Sequence, residues 1–75
     1  MELPEAFGFA IRKLRIERGL TQEQLGFEAN LRRTYISSLE LGQKTPSITT
    51  IYKLAKVFGI SMSKLLLLVE KEISN

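Results

Sequence analysis

Positions 32 to 38 read Arg-Arg-Thr-Tyr-Ile-Ser-Ser, a short run of guanidinium and hydroxyl groups containing no acid. Such a set can do two kinds of chemistry. It can hydrogen-bond to a polyanion and to the edges of nucleic-acid bases, or one of its hydroxyls can serve as a nucleophile. The second route needs a base, and the chain has no histidine and no cysteine. Ser37 and Ser38 therefore lack an imidazole to activate them, and a lysine base would need a pocket that 75 residues scarcely provide. No Gly-rich phosphate loop, HExxH or CxxC is present. These absences argue against an enzyme, and no metal, cofactor or small-molecule ligand is expected.

Base-edge chemistry needs a helix that shows this set to the outside and buries its other side. Ile36 and Leu39, three apart, give a helix over 33–41 one apolar face. Leu31 can staple onto Ile36 across its start. Asn30 tolerates the left-handed conformation that stops a helix and turns the chain sharply. The preceding helix opens at Gln22, where Thr21 is the N-cap, Gln24 completes a capping box, and Leu20 with Leu25 forms a hydrophobic staple. Leu25 and Ala29 supply its apolar contacts, with Phe27 as a further candidate, and Gly26 lies on the inner side where a second helix can approach. Together these make a helix-turn-helix, whose second helix fits the major groove of DNA. Arg33 is then the first choice for base contact, because a guanidinium pairs bidentately with guanine. Thr34 and Ser37 can hydrogen-bond to several bases or touch a thymine methyl. Gln22, at a helix start with free N–H groups and the positive dipole end, is an expected phosphate contact. Tyr35 is expected on either a phosphate or the neighbouring helix.

The rest of the chain must hold this pair. Pro4 suits the first position of a helix, Met1 to Leu3 read as a loose end, and Phe7, Ile11 and Leu14 mark a face that Phe9 and Ala10 can widen. Gly8 inside that helix costs about 1 kcal/mol against alanine, with close packing as the candidate reason. Gly19 ends it. Ser47 caps a fourth helix in which Ile48, Ile51, Leu54, Ala55 and Phe58 repeat at three and four, and Gly59 ends it. Ser61 caps a fifth. On a helical wheel Met62, Leu65, Leu66, Val69 and Ile73 share one side, while Leu67 and Leu68 fall outside it. A monomer of this size covers one apolar stripe, not two, and exposed apolar patches mark interfaces. Leu66, Leu67 and Val69 are accordingly the expected dimer contacts, with 61–75 as the dimerisation element; a wider buried face in a monomer is the competing account. The expected architecture is all-α, five helices forming a single domain over 1–75.

Net charge is +3 with a pI near 9.5, compatible with a nucleic-acid partner but common elsewhere. The distribution tells more. Arg12 to Arg18 holds four basic residues against one acid, and either a DNA-facing surface or a merely solvated one would look like this. The run Leu65–Val69 falls far short of the roughly 20 apolar residues that span a bilayer, and no signal-peptide pattern opens the chain. It is read as cytoplasmic and complete.

The stretch TQEQLGFEANLRRTYISSLELGQKTPS resembles the lambda-repressor-like (XRE) class of helix-turn-helix transcriptional regulators, and NLRRTYISSLE is similar to controller proteins of restriction-modification operons. The resemblance runs from about Phe7 to Leu66. It implies base contacts at Arg33, Thr34, Ser37 and Ser38, a phosphate contact at Gln22, and backbone contacts from the loop holding Gln43 and Lys44. It also implies a salt bridge joining Arg15 to Glu40, and a two-fold homodimer on a roughly palindromic operator, as in a restriction-modification controller or a phage-type repressor. With no separate sensor domain, regulation is expected to follow the protein's own concentration. Two positions depart from the family: Leu41, where a polar residue is usual, and Arg32, where Ser, Thr or Asp caps the recognition helix. Arginine offers no acceptor there and is unfavourable at the positive dipole end, which makes Arg32 a candidate for DNA backbone contact, with simple tolerance as the alternative. The rival function is a helix-turn-helix protein-interaction module, antitoxin-like, that docks on a partner protein.

Overall fold

In a computed structural model that describes residues 1–74, the chain forms α1 (Leu3–Glu17), α2 (Gln22–Ala29), α3 (Arg33–Glu40), α4 (Ile48–Phe58) and α5 (Met62–Ser74). Among the described residues there is no strand. Asn75, the last residue of the expected domain and dimerisation element, lies outside them.

Local chemistry accounts for most of the helix boundaries. Glu5 accepts from the backbone N–H of Glu2 at 3.2 Å, so α1 starts at Leu3, just ahead of Pro4. At α2 the capping box closes in both directions, Gln24 N to Thr21 Oγ1 at 3.0 Å and Thr21 N to Gln24 Oε1 at 2.8 Å. Asn30 ends α2 in the left-handed region, φ 57° and ψ 47°, which its short polar side chain tolerates. Ser47 and Ser61 accept from Thr50 N and Lys64 N at 3.1 and 3.0 Å. Arg32, in contrast to Thr21, Ser47 and Ser61, extends into α3 with no side-chain hydrogen bond to the helix start.

All five helices feed one core. Ile11, Leu25, Ile36, Leu39, Leu54, Leu65 and Val69 are fully buried, each contributing roughly 1.5–3 kcal/mol by removal from water. α1 lies against α3 and α5, α2 against α3 and α4, and α4 against α5. The position of α3 depends on two glycines. A Cβ on Gly26 would stand 2.6 Å from the Leu31 carbonyl oxygen, inside van der Waals contact, so α2 meets the start of α3 backbone to backbone. Gly8 does the same at the other end, because its Cβ would strike the carbonyl oxygens of Leu39 and Glu40. That contact is the reason for a glycine in mid-helix.

Several apolar assignments change, among them Phe9, which is 39% exposed and does not widen the α1 face. Val69, expected as a dimer contact, is 2% exposed and belongs to the core. The inward stripe of α5 is Leu65, Val69 and the half-buried Met62 and Leu68, with Leu66, Leu67 and Ile73 turned outward. Packing against α1, where Lys13 holds Glu72 at 2.9 Å, rotates the stripe toward Leu68 and away from Leu66. Phe27 is 87% exposed, because Leu25, Gly26 and Ala29 already fill the inner face of α2. Ile48, 73% exposed, stands outside the α4 stripe at its first turn.

Candidate nucleic-acid interface

On α3 the side chains of Arg33 and Ser37, and of Thr34 and Ser38, sit one turn apart, so the four form a single strip along the helix. Arg33 and Thr34 are exposed, Ser37 and Ser38 half-buried. The strip runs away from Ile36 and Leu39, which are completely buried. Arg32 and Arg33 are exposed and make no salt bridge or side-chain hydrogen bond among the described residues. Their charge faces solvent at the start of the helix.

Gln22 stands at the start of α2, where the N–H groups of the first turn lack intrahelical acceptors. Its carboxamide is half-buried, and Nε2 donates to Glu40 Oε1 at 3.1 Å. Gln43 and Lys44 are exposed in the loop after α3, tied back by Gln43 N to the Ser38 carbonyl at 2.9 Å. Tyr35 faces α4. Its hydroxyl lies 3.2 Å from Thr50 Oγ1, which also accepts from Ser47 Oγ at 3.2 Å, and Lys44 Nζ sits 6.0 Å from the ring centroid. Tyr35 is thus seated against the neighbouring helix, one of its two expected positions. Leu41 is exposed at the C-terminal end of α3.

Beneath this surface Arg15 and Glu40 form a bidentate pair, Nε to Oε2 at 2.7 Å and Nη2 to Oε1 at 3.0 Å, with Arg15 Nη1 on the Leu20 carbonyl at 2.9 Å. The side chains are 13% and 3% exposed. Hydrogen bonding to the Glu40 carboxylate, reinforced by its charge and opposed by burial, raises the Arg15 pKa above its ordinary value. The pair joins α1 to the end of α3 and, through Gln22, to the start of α2.

Sequence reasoning missed two contributors. Arg18 donates to the Phe58 carbonyl through Nε and Nη2 at 3.2 and 2.8 Å and lies 5.5 Å from the Phe58 ring centroid, closing the C-terminal end of α4 onto α1. Thr50, buried inside α4, anchors Tyr35. Both depend on partners far along the chain, and no local pattern announces them.

Comparison with known proteins agrees with this geometry. The family described as Helix-turn-helix matches residues 11–65. The chain belongs to that family. Its curated helix-turn-helix relatives include control protein C.MunI of Mycoplasma sp, 39% identical over 67 residues, covering 88% of this chain and 90% of that protein. Control protein C.BamHI of Bacillus amyloliquefaciens is 39% identical over 61 residues, covering 80% and 75%. Among solved structures, the restriction-modification controller C.Esp1396I bound to a 25-base-pair operator site superposes with TM-score 0.88 at 33% identity, covering 100% of this chain and 99% of that one. C.Esp1396I has also been solved as a tetramer with its natural 35-base-pair operator. Among the described residues no helix is long and apolar enough to cross a membrane, and no group of His, Cys, Asp and Glu is arranged to hold a metal ion.

Proposed function

We propose that this helix-turn-helix protein is a transcriptional regulator of the controller type that binds a two-part, roughly palindromic operator as a dimer. Each α3 enters a major groove with Arg33, Thr34, Ser37 and Ser38 toward the bases. Gln22, Arg32, Gln43 and Lys44 flank that strip and take backbone phosphates. The observation that carries this reading is the unpartnered, acid-free strip on α3, in a chain that matches a controller solved on its operator along its whole length. Such a protein works in the cytoplasm, with the DNA, and has no catalytic role.

The dimer contact is proposed on α5. Leu66 is exposed and, with Leu3, Pro4, Pro46 and Ile51, lines an almost wholly apolar hollow whose inner wall includes Phe7 and Val69. Leu67, also exposed, lies beside it on the helix. A second copy covering this face would bring two recognition helices together, and two half-sites bound as one unit gain avidity that separate monomers lack.

Binding-site selection on random duplexes, followed by a salt titration of the selected operator, tests the reading. Affinity should fall steeply with salt, as phosphate contacts require. Binding that barely responds to salt, or no selected sequence, would favour a protein-interaction module instead. Leu66→Glu should give a folded monomer by sedimentation with weakened operator binding, whereas a monomeric parent protein at high micromolar concentration would remove the dimer from the proposal.

A further inference from the structure

Glu40 lies at the last turn of α3 and Gln22 at the first turn of α2, 18 positions apart, yet Gln22 Nε2 donates to Glu40 Oε1 at 3.1 Å. The same oxygen accepts from Arg15 Nη2 at 3.0 Å, while Oε2 accepts from Arg15 Nε at 2.7 Å. The carboxylate is therefore fixed by a planar fork that is itself anchored on the Leu20 carbonyl at 2.9 Å. Fixing it has a consequence for the glutamine. A carboxamide is planar and its nitrogen carries two hydrogens, so holding one toward Glu40 sets the directions of the other and of Oε1. An unrestrained glutamine would lose much of its rotamer freedom on meeting a ligand, and that loss lowers affinity.

We propose that Glu40 is a positioning residue for DNA binding: clamped by Arg15, it holds the Gln22 carboxamide in the orientation in which its second Nε2 hydrogen meets a backbone phosphate. Arg15 has two parts in this. It orients the carboxylate, and it cancels a negative charge that would otherwise stand one side chain away from the phosphate. A contact that looks purely structural thus sets the geometry of one that is made only in the complex. The inference rests on the reading of Gln22 as a phosphate contact.

A double-mutant cycle on the full chain, with operator affinity measured well below the melting temperature and folded fraction checked by circular dichroism, separates the two. Gln22→Ala should weaken operator binding roughly 5- to 150-fold, the square of the about 2- to 12-fold that one lost hydrogen bond costs, because a dimer loses one in each half-site. Glu40→Gln should cost a similar factor when Gln22 is present and less than about twofold in the Gln22→Ala background, the non-additivity of residues acting through one contact. Additive losses would overturn the positioning role while leaving the phosphate contact standing. An unchanged affinity for Gln22→Ala would overturn both, and absence of operator binding by the parent would overturn the function itself. Should Glu40→Gln fail to fold, side-chain amide NMR on the unmodified protein decides. The Gln22 Nε2 group should be rigid in the free protein while the exposed Gln43 amide is mobile, and operator should shift one Gln22 Nε2 proton much more than the other. A Gln22 amide as mobile as that of Gln43 would sink the proposal.

Discussion

The two basic regions, Arg12–Arg18 on α1 and Arg32–Lys44 around α3, use their charge to different ends. On α1 Arg15 is closed on Glu40, Arg18 on the Phe58 carbonyl and Lys13 on Glu72. On α3 Arg32 and Arg33 stand in solvent, and the one acid of that region, Glu40, is already paired and only 3% exposed. The α1 window has the denser charge and the lesser potential to meet DNA. What distinguishes them is whether the fold supplies an acceptor: a cation paired with a carboxylate is largely neutralised, and one whose N–H groups are spent on a helix-end carbonyl keeps its charge but has fewer donors to offer a phosphate. Lys13, Arg15 and Arg18 hold helices together, while Arg32 and Arg33 remain for a partner.

Breaking the α1 side of this comparison should have the largest effect. Arg15→Ala leaves the Glu40 carboxylate buried without its counter-charge and should destabilise the fold by about 3–5 kcal/mol, read as a large fall in melting temperature. An unchanged melt would return Arg15 to the solvated surface and erase the contrast. On the α3 side, Arg33→Ala should leave stability alone and cost about 1–3 kcal/mol of specific binding, relaxing base preference at one position per half-site. Equal losses on operator and random duplexes would show that Arg33 reads no base. Arg32→Asp sharpens the comparison further, since a side chain that can cap α3 replaces one that cannot. Stability should rise by about 0.5–2 kcal/mol, while operator binding weakens and its salt dependence flattens by roughly one counterion per half-site. Thermal melts and a salt titration of that variant check both halves. The smallest effect is expected at Arg12, exposed and unpaired among the described residues. Arg12→Ala should change stability by less than about 0.5 kcal/mol and leave operator affinity as it was, and a clear loss in a titration would give α1 a DNA-facing role after all.

Features that depend on a few consecutive residues were legible in the sequence. The Thr21–Gln24 box and the Ser47 cap follow from side chains reaching the backbone a turn away, the uncapped Arg32 from its lack of an acceptor, and the left-handed Asn30 from a side chain that tolerates that conformation. The strip at Arg33, Thr34, Ser37 and Ser38 follows from helical spacing around Ile36 and Leu39. Facing was harder. Periodicity gives an apolar arc but not how far it turns toward a neighbour, which is why Phe27, Ile48, Leu68 and Ile73 were misplaced while Leu25, Leu54 and Phe58 were not. Contacts across long separations, Arg18 with Phe58 and Tyr35 with Thr50, leave no periodic trace. Gly8 was visible only as an anomaly until α3 was set beside it.

That glycine and Gly26 meet α3 and its approach through main-chain atoms, one at each end. The consequence is a division between scaffold and readout. The docking angle of α3 is set by backbone atoms and by Ile36 and Leu39, so the four residues of the outer strip can be exchanged with little effect on where the helix sits. On the proposed reading of the strip, new operator preferences are reachable by single substitutions that leave the fold intact, while a side chain added at position 8 or 26 would tilt α3 and spoil every preference at once.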